Sequence, residues 1–290
     1  MAKDVRIQKV LSEQGLCSRR AAEQIILEGR VKLNGHPVKL GDKMDTVTDL
    51  LSVDGQNIYI PKKTEMVYVM MNKPRGYITT LSDERGRKTV VDLLTEYDLR
   101  LFPVGRLDKD SEGLLFFTND GEFANLLTHP SNGVNKMYRV TVYPHATEEQ
   151  IIALTDGVVL DDGTKTHPAV IRVVADEPER TVLEMTISEG KNRQIRRMCE
   201  AVGLEVVRLS RKAIGPVKLG MLPPGATREL TKAELLGLRA SAQKGKQKTL
   251  HEANYLRGQQ KLKRNYGRPI KKEGNAHSES WTSNKGGNRR

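Results

Sequence analysis

The stretch Gly105-Arg106-Leu107-Asp108-Lys109-Asp110-Ser111-Glu112-Gly113-Leu114-Leu115-Phe116-Phe117-Thr118-Asn119-Asp120-Gly121 sets the terms on which the rest of the chain can fold. Leu114 to Phe117 is apolar, short and closed by turn formers, the pattern of an interior strand. Asn119-Asp120-Gly121 reads as a tight turn in which Gly121 is free to take a positive φ. Ahead of the strand, Arg106, Asp108, Lys109, Asp110 and Glu112 crowd into a few positions. A carboxylate at the mouth of an apolar strand, with basic neighbours, can be held ionised beside apolar groups. Read by composition alone, the same run is a solvated loop.

The chain has 290 residues, 37% hydrophobic and 29% charged, enough for one medium domain with a core and a smaller module. No apolar run approaches the ~20 residues that span a bilayer, and Met1 to Arg6 lacks the apolar region of a signal peptide. Cys17 and Cys199 are far apart, which suggests neither a disulfide framework nor a zinc site. These features predict a cytoplasmic protein with no membrane partner. The formal net charge is +12 and points to a polyanion. From Arg239 to Arg290, 14 Lys and Arg face 3 Glu, so the excess sits at that end and the remainder is near neutral. The folded part must therefore bind through local patches.

Residues 1–60 read as a compact module. Ile7, Val10 and Leu11 share a helix face, and Ser18 caps a second helix carrying Ala22, Ile25 and Ile26. Asn34-Gly35 suits a hairpin turn between Val31 and Val38. Two helices and small hairpins, with Cys17-Ser18-Arg19-Arg20 and Val31-Lys32-Leu33-Asn34-Gly35, resemble the alpha-L (S4-type) RNA-binding domain. That resemblance makes Arg6, Lys9, Arg19 and Arg20 candidate RNA contacts, and Arg19-Arg20 would meet phosphates at a helix N-terminus. Residues 61–65 read as a linker.

Val67 to Met71 then reads as a strand, and Asn72-Lys73-Pro74-Arg75-Gly76 turns out of it. Lys136 to Val142 is another strand, with Tyr138, Val140 and Val142 on one face. In Asn192-Arg193-Gln194-Ile195-Arg196-Arg197-Met198-Cys199, the apolar residues lie at helical spacing on one side. The arginines lie on the other, with Asn192 as the expected cap. Val206 to Leu209 is a further short strand, and Thr231 with Glu234 forms a capping box for a last helix.

Gly105-Arg106-Leu107-Asp108 with Gly113-Leu114-Leu115 and the Thr118-Asn119-Asp120-Gly121 turn resembles the catalytic motif of RNA pseudouridine synthases that modify single uridines in ribosomal RNA. Asn72-Lys73-Pro74-Arg75-Gly76 resembles that family's first motif, Lys136-Met137-Tyr138 its tyrosine motif, and Asn192 to Met198 its third. The resemblance covers nearly all of residues 5–238. It implies an α+β protein: an alpha-L domain (1–60), the linker, a mixed and mainly antiparallel catalytic sheet with flanking helices (66–239), and a disordered basic tail (240–290).

It also implies the chemistry: uridine is flipped from its stack and isomerised to pseudouridine without a cofactor or metal. Asp108 would act on the nucleoside, as nucleophile or as base toward the sugar. Tyr138 would pack on the base, and Arg196 would pair with Asp108 and hold it ionised. Lys73, Arg75, Arg106, Lys109, Arg193 and Arg197 would contact RNA. The Lys109-Asp110-Ser111 continuation resembles the F branch of large-subunit enzymes, relatives of which also accept a tyrosine tRNA. Small-subunit rRNA is the alternative target, and a non-catalytic ribosome-binding protein the alternative class. The expected state is a monomer. Tyr255 and Trp281 are candidate stacking residues in the tail.

Overall fold

The computed structural model describes residues 5–61 and 65–247; the expected tail from 248 on, with Tyr255 and Trp281, lies outside the described residues. The N-terminal module comprises β1 (Val5–Arg6), α1 (Ile7–Glu13), α2 (Arg19–Leu27), β2 (Val31–Leu33), β3 (His36–Pro37), β4 (Lys43–Met44), β5 (Leu51–Val53) and β6 (Gln56–Asn57). Ser18 caps α2 by accepting the Ala21 N–H at 3.1 Å. Ile7, Val10, Leu11, Ala22 and Ile26 meet Val31, Met44 and Leu51 in a small core of their own. The expected hairpin forms, with Asn34 and Gly35 both at positive φ.

The second body is built on β7 (Tyr68–Lys73), β8 (Phe102–Val104), β9 (Glu112–Thr118), β10 (Lys136–Tyr143), β11 (Val170–Glu177), β12 (Arg180–Ile187), β13 (Glu205–Ile214), β14 (Val217–Lys218) and β15 (Thr227–Glu229). They form one sheet in the order β11-β12-β10-β13-β9-β7-β15, with β8 also on β9 and β14 on β13. Its pairs are antiparallel except β13 with β9. The helices are α3 (Gly121–Thr128), α4 (Glu148–Asp156), α5 (Gln194–Ala201) and a last helix, α6, over 232–247.

Strand β9 is the interior strand that its apolar run predicts. Leu115 and Phe117 project into one hydrophobic layer with Val69, Met71, Val140, Met198 and Cys199. Leu114 and Phe116 project into the opposite layer with Met70, Phe123, Leu127 and Leu238. The turn after it is a helix start: Asp120 accepts the N–H groups of Glu122 and Phe123 at 2.9 and 3.0 Å, and Gly121 takes no positive φ. Three other sequence expectations change. Strand β13 runs five residues beyond Leu209, because it pairs with β10 as far as Ile214 and buries Arg211 within the sheet. Arg193, not Asn192, stands at the N-cap of α5. The boundary expected at 239 falls inside α6, where Leu238 and Ala242 are fully buried and Gly245 packs on the backbone of Asn132 and Gly133.

The module and the sheet body touch through Arg100. Its Nη1 donates to the carbonyls of Cys17 at 2.8 Å and Ser12 at 3.4 Å, closing the end of α1 that no basic side chain of its own last turn satisfies.

Candidate active site

On one edge, β9 changes partner. It pairs with β8 from Phe116 onward and with β13 at Glu112 and Gly113. Leu114 and Leu115 have no strand partner on that edge, and Arg211 fills part of the gap by donating Nε to the Leu114 carbonyl at 2.6 Å. Gly113 makes the parallel contact feasible: it has φ +104°, and a Cβ there would collide with the Arg211 backbone. A cleft of about 410 Å³ opens beside this divergence. Asp108, Ser111, Lys136, Tyr138, Glu189, Arg193, Leu209 and Arg211 are among its lining residues.

The loop 105–111 joining β8 to β9 carries Asp108 into the cleft. Its backbone is fastened from outside. Lys73, fully buried, donates Nζ to the carbonyls of Pro74, Asp108 and Ser111 at 3.1, 3.0 and 2.7 Å. The Thr79 hydroxyl donates to the Leu107 carbonyl at 2.7 Å, and the Gly76 N–H to the Lys109 carbonyl at 2.8 Å. Burial pulls the Lys73 ammonium down to about 8, against the opposing pull of Asp108 and Asp110. This corrects the expectation that Lys73 meets RNA: an ammonium with three carbonyl partners and no exposure is a structural tie.

Asp108 is a third exposed, and its Oδ2 lies 3.7 Å from Arg193 Nη1. Arg193 reaches it from a left-handed backbone, φ +46°, a costly conformation for a residue with a Cβ. The N-terminus of α5 is closed instead by Gln194, which accepts the Lys191 N–H at 3.0 Å. The expected ion pair between Arg196 and Asp108 is not formed. Arg196 donates to the Val206 carbonyl at 2.8 Å and to the Asp110 carbonyl at 3.5 Å, bracing the loop against β13. One helical turn separates the two arginines, and only the one at the helix start overhangs the cleft.

Arg197 also departs from expectation. Asp161 and Asp162 hold it from the segment after α4, so it is not available to a phosphate. Arg75, Arg106 and Lys109 are exposed as expected, as are Arg6, Arg19 and Arg20 on the N-terminal module. Lys9 is paired with Glu13 at 3.6 Å.

Tyr138 lies on the cleft wall, 8% exposed. Arg211 stands opposite it across β10 and β13, where a bulge follows Met137. Arg211 Nη1 is 3.5 Å from the Tyr138 hydroxyl, and the guanidinium lies 6.0 Å from the ring centre. The cleft thus brings together a partly exposed carboxylate on a clamped loop and a buried tyrosine on its wall.

The description of RNA pseudouridylate synthases matches residues 67–201, and that of the S4 domain matches residues 5–47. The chain is 43% identical over 244 residues to the ribosomal large subunit pseudouridine synthase B of Bacillus subtilis (strain 168), covering 83% of this chain and 98% of that one. The chain belongs to the RNA pseudouridine synthase family. It is 41% identical over 234 residues to the dual-specificity RNA pseudouridine synthase RluF of Escherichia coli (strain K12), covering 81% of this chain and 78% of that one. A crystal structure of a pseudouridylate synthase is similar with a TM-score of 0.59 at 31% identity, over 81% of this chain and the whole of that one.

Two lining residues of this synthase escaped the sequence reading. Arg211 lay beyond the strand ending expected at Leu209, in a run whose charges at 208, 211 and 212 hide its alternation. Lys136 opens the tyrosine strand and was legible only as part of its motif. Burial, helped by the nearby Arg211 cation, lowers its ammonium to about 8. Among the described residues no cluster of His, Cys, Asp and Glu could hold a metal ion, and no helix is long and apolar enough to cross a membrane.

Proposed function

We propose that the synthase isomerises a uridine of large-subunit ribosomal RNA, with Asp108 as the group that acts on the nucleoside. The observation that supports this reading most is the Asp108 loop: four side-chain and backbone ties hold it at the lip of a cleft whose wall is Tyr138. A flipped uridine enters with its sugar at Asp108 and its base against Tyr138. The C1′–N1 bond breaks, the uracil turns, C1′ bonds to C5, and the C5 proton leaves while N1 regains one. No atom is gained or lost. Arg193, with Nη1 3.7 Å from Oδ2, aims the Asp108 carboxylate, and the exposed Arg75, Arg106 and Lys109 meet flanking phosphates. The N-terminal module holds the RNA through Arg6, Arg19 and Arg20. The rRNA target follows the printed activities of the relatives, and the dual specificity named for one of them makes a transfer RNA the second substrate to test.

Asp108→Asn is the decisive variant. Wild type and variant are compared on large-subunit rRNA, small-subunit rRNA and tRNA from cells lacking the enzyme, with pseudouridine mapped by chemical modification and primer-extension stops. A stop made by wild type and absent with a variant that still binds RNA is the expected result. The same stop with both would overturn the role of Asp108.

A further inference from the structure

The charges inside the cleft do not balance. Its acids are engaged: Asp108 faces Arg193, and Glu189 accepts from Gln194 at 2.5 Å and the His167 N–H at 3.0 Å and pairs with Lys191 at 2.9 Å. Two of its buried or half-buried cations are not. Arg211 is 3% exposed and forms no ion pair among the described residues. Its Nε is tied to a carbonyl and its Nη1 leans on the Tyr138 hydroxyl, but Nη2 is buried with no hydrogen-bond partner among the described residues. Lys136 is half-buried, and among the described residues the one partner of its Nζ is the Val134 carbonyl at 3.0 Å. An unpaired buried cation costs free energy unless the site's purpose is to receive negative charge.

We propose that Arg211 and Lys136 bind the carbonyl oxygens of the uracil and stabilise it as an anion once its bond to the sugar breaks. The inference rests on the reading of the cleft as the uridine site. When C1′–N1 cleaves heterolytically, the bonding pair stays with the ring and spreads over N1, O2 and O4, while Asp108 satisfies the electron-deficient C1′ by bonding to it or by taking the C2′ proton. Neutral uridine makes little use of two cations; the detached anion makes strong use of them, the more so beside a guanidinium as buried as that of Arg211. Depth selects the base over a phosphate. Arg211 is 3% exposed and stands across from Tyr138, whereas Arg106 and Lys109 are exposed where a phosphate backbone can reach them. The bulge after Met137 and the bond to Leu114 fix the guanidinium plane in advance, so that little reorganisation is needed when charge develops.

The test measures single-turnover conversion and RNA affinity for wild type, Lys136→Met, Lys136→Arg, Arg211→Lys and Asp108→Asn, with a thermal melt of each. The expected result is a rate loss of about 10²-fold for Lys136→Met and Arg211→Lys, with RNA affinity held within about threefold and partial recovery in Lys136→Arg. Equal losses of rate and affinity, with a salt slope reduced by about one, would make these residues phosphate contacts and overturn the proposal. A wild-type rate in Lys136→Met would overturn it as well. Should Arg211→Lys melt early, Lys136→Met decides, since no side chain depends on Lys136. Asp108→Asn separates the two levels: if it keeps the wild-type rate, the site assignment fails. If it is inactive while Lys136→Met is unimpaired, the anion proposal alone fails.

Discussion

The N-terminal module and the cleft use the same residue types in opposite ways. On the module, Arg6, Arg19 and Arg20 are exposed, and α2 begins with two arginines and no acid in its first turn. In the cleft body, Lys73, Arg196, Arg197, Lys136 and Arg211 are buried or half-buried and mostly spend their donors on carbonyls or carboxylates. Exposed cations act at a distance and are screened by salt. Buried ones act at contact and hold geometry or receive charge. A basic motif therefore carries different meanings on the two bodies, and the difference is burial.

The strongest way to break this contrast is Lys73→Met. It leaves the carbonyls of Pro74, Asp108 and Ser111 without their shared donor, and the expected cost is about 3 kcal/mol of stability, measured by chemical denaturation, with conversion falling below detection. A variant that folded as well as wild type and bound RNA more weakly would return Lys73 to the RNA-contact class. Next in size is the pH dependence. Burial holds both Lys73 and Lys136 at about 8. Raising the pH through that value removes protons that the loop and the base site use, so conversion should fall toward tenfold per pH unit beyond it. Their contribution to stability moves the other way between about 8 and ~10.4, because the unfolded chain keeps those protons longer. A melt at each pH thus separates lost chemistry from lost fold, and a rate that stays flat to pH 9 would contradict the assignment. The smallest expected effect belongs to the module. Arg19→Gln with Arg20→Gln should weaken RNA affinity by about tenfold at raised salt and reduce the salt slope by about two, with the single-turnover rate at saturation unchanged. A loss of that rate would mean the module shapes the site.

Much of the fold was legible because local chemistry and tertiary context agreed. The Ser18 cap, the Asn34-Gly35 hairpin and the apolar run of β9 appear where the sequence puts them. Arginines were harder to read. Arg193, Arg196 and Arg197 lie within five residues, yet one faces Asp108, one braces the Asp110 carbonyl and one is held by Asp161 and Asp162. Helical spacing alone does not say which of them overhangs the cleft; the left-handed Arg193 decides it, and nothing in that residue's identity favours that conformation.

The sequence by itself determined the caps, the hairpin and the interior strand, because periodicity and turn chemistry act over a few neighbouring residues; Asp108 and Tyr138 were singled out by the resemblance of their motifs to the family's. Only the tertiary structure decided which cations face the cleft. Arg211 meets Tyr138 because β13 lies between β10 and β9, and Gly113 lets β13 approach β9 closely enough for that. Those partners are separated by 73 and 98 positions in the chain. No local pattern encodes a contact of that range; the packing of the sheet does.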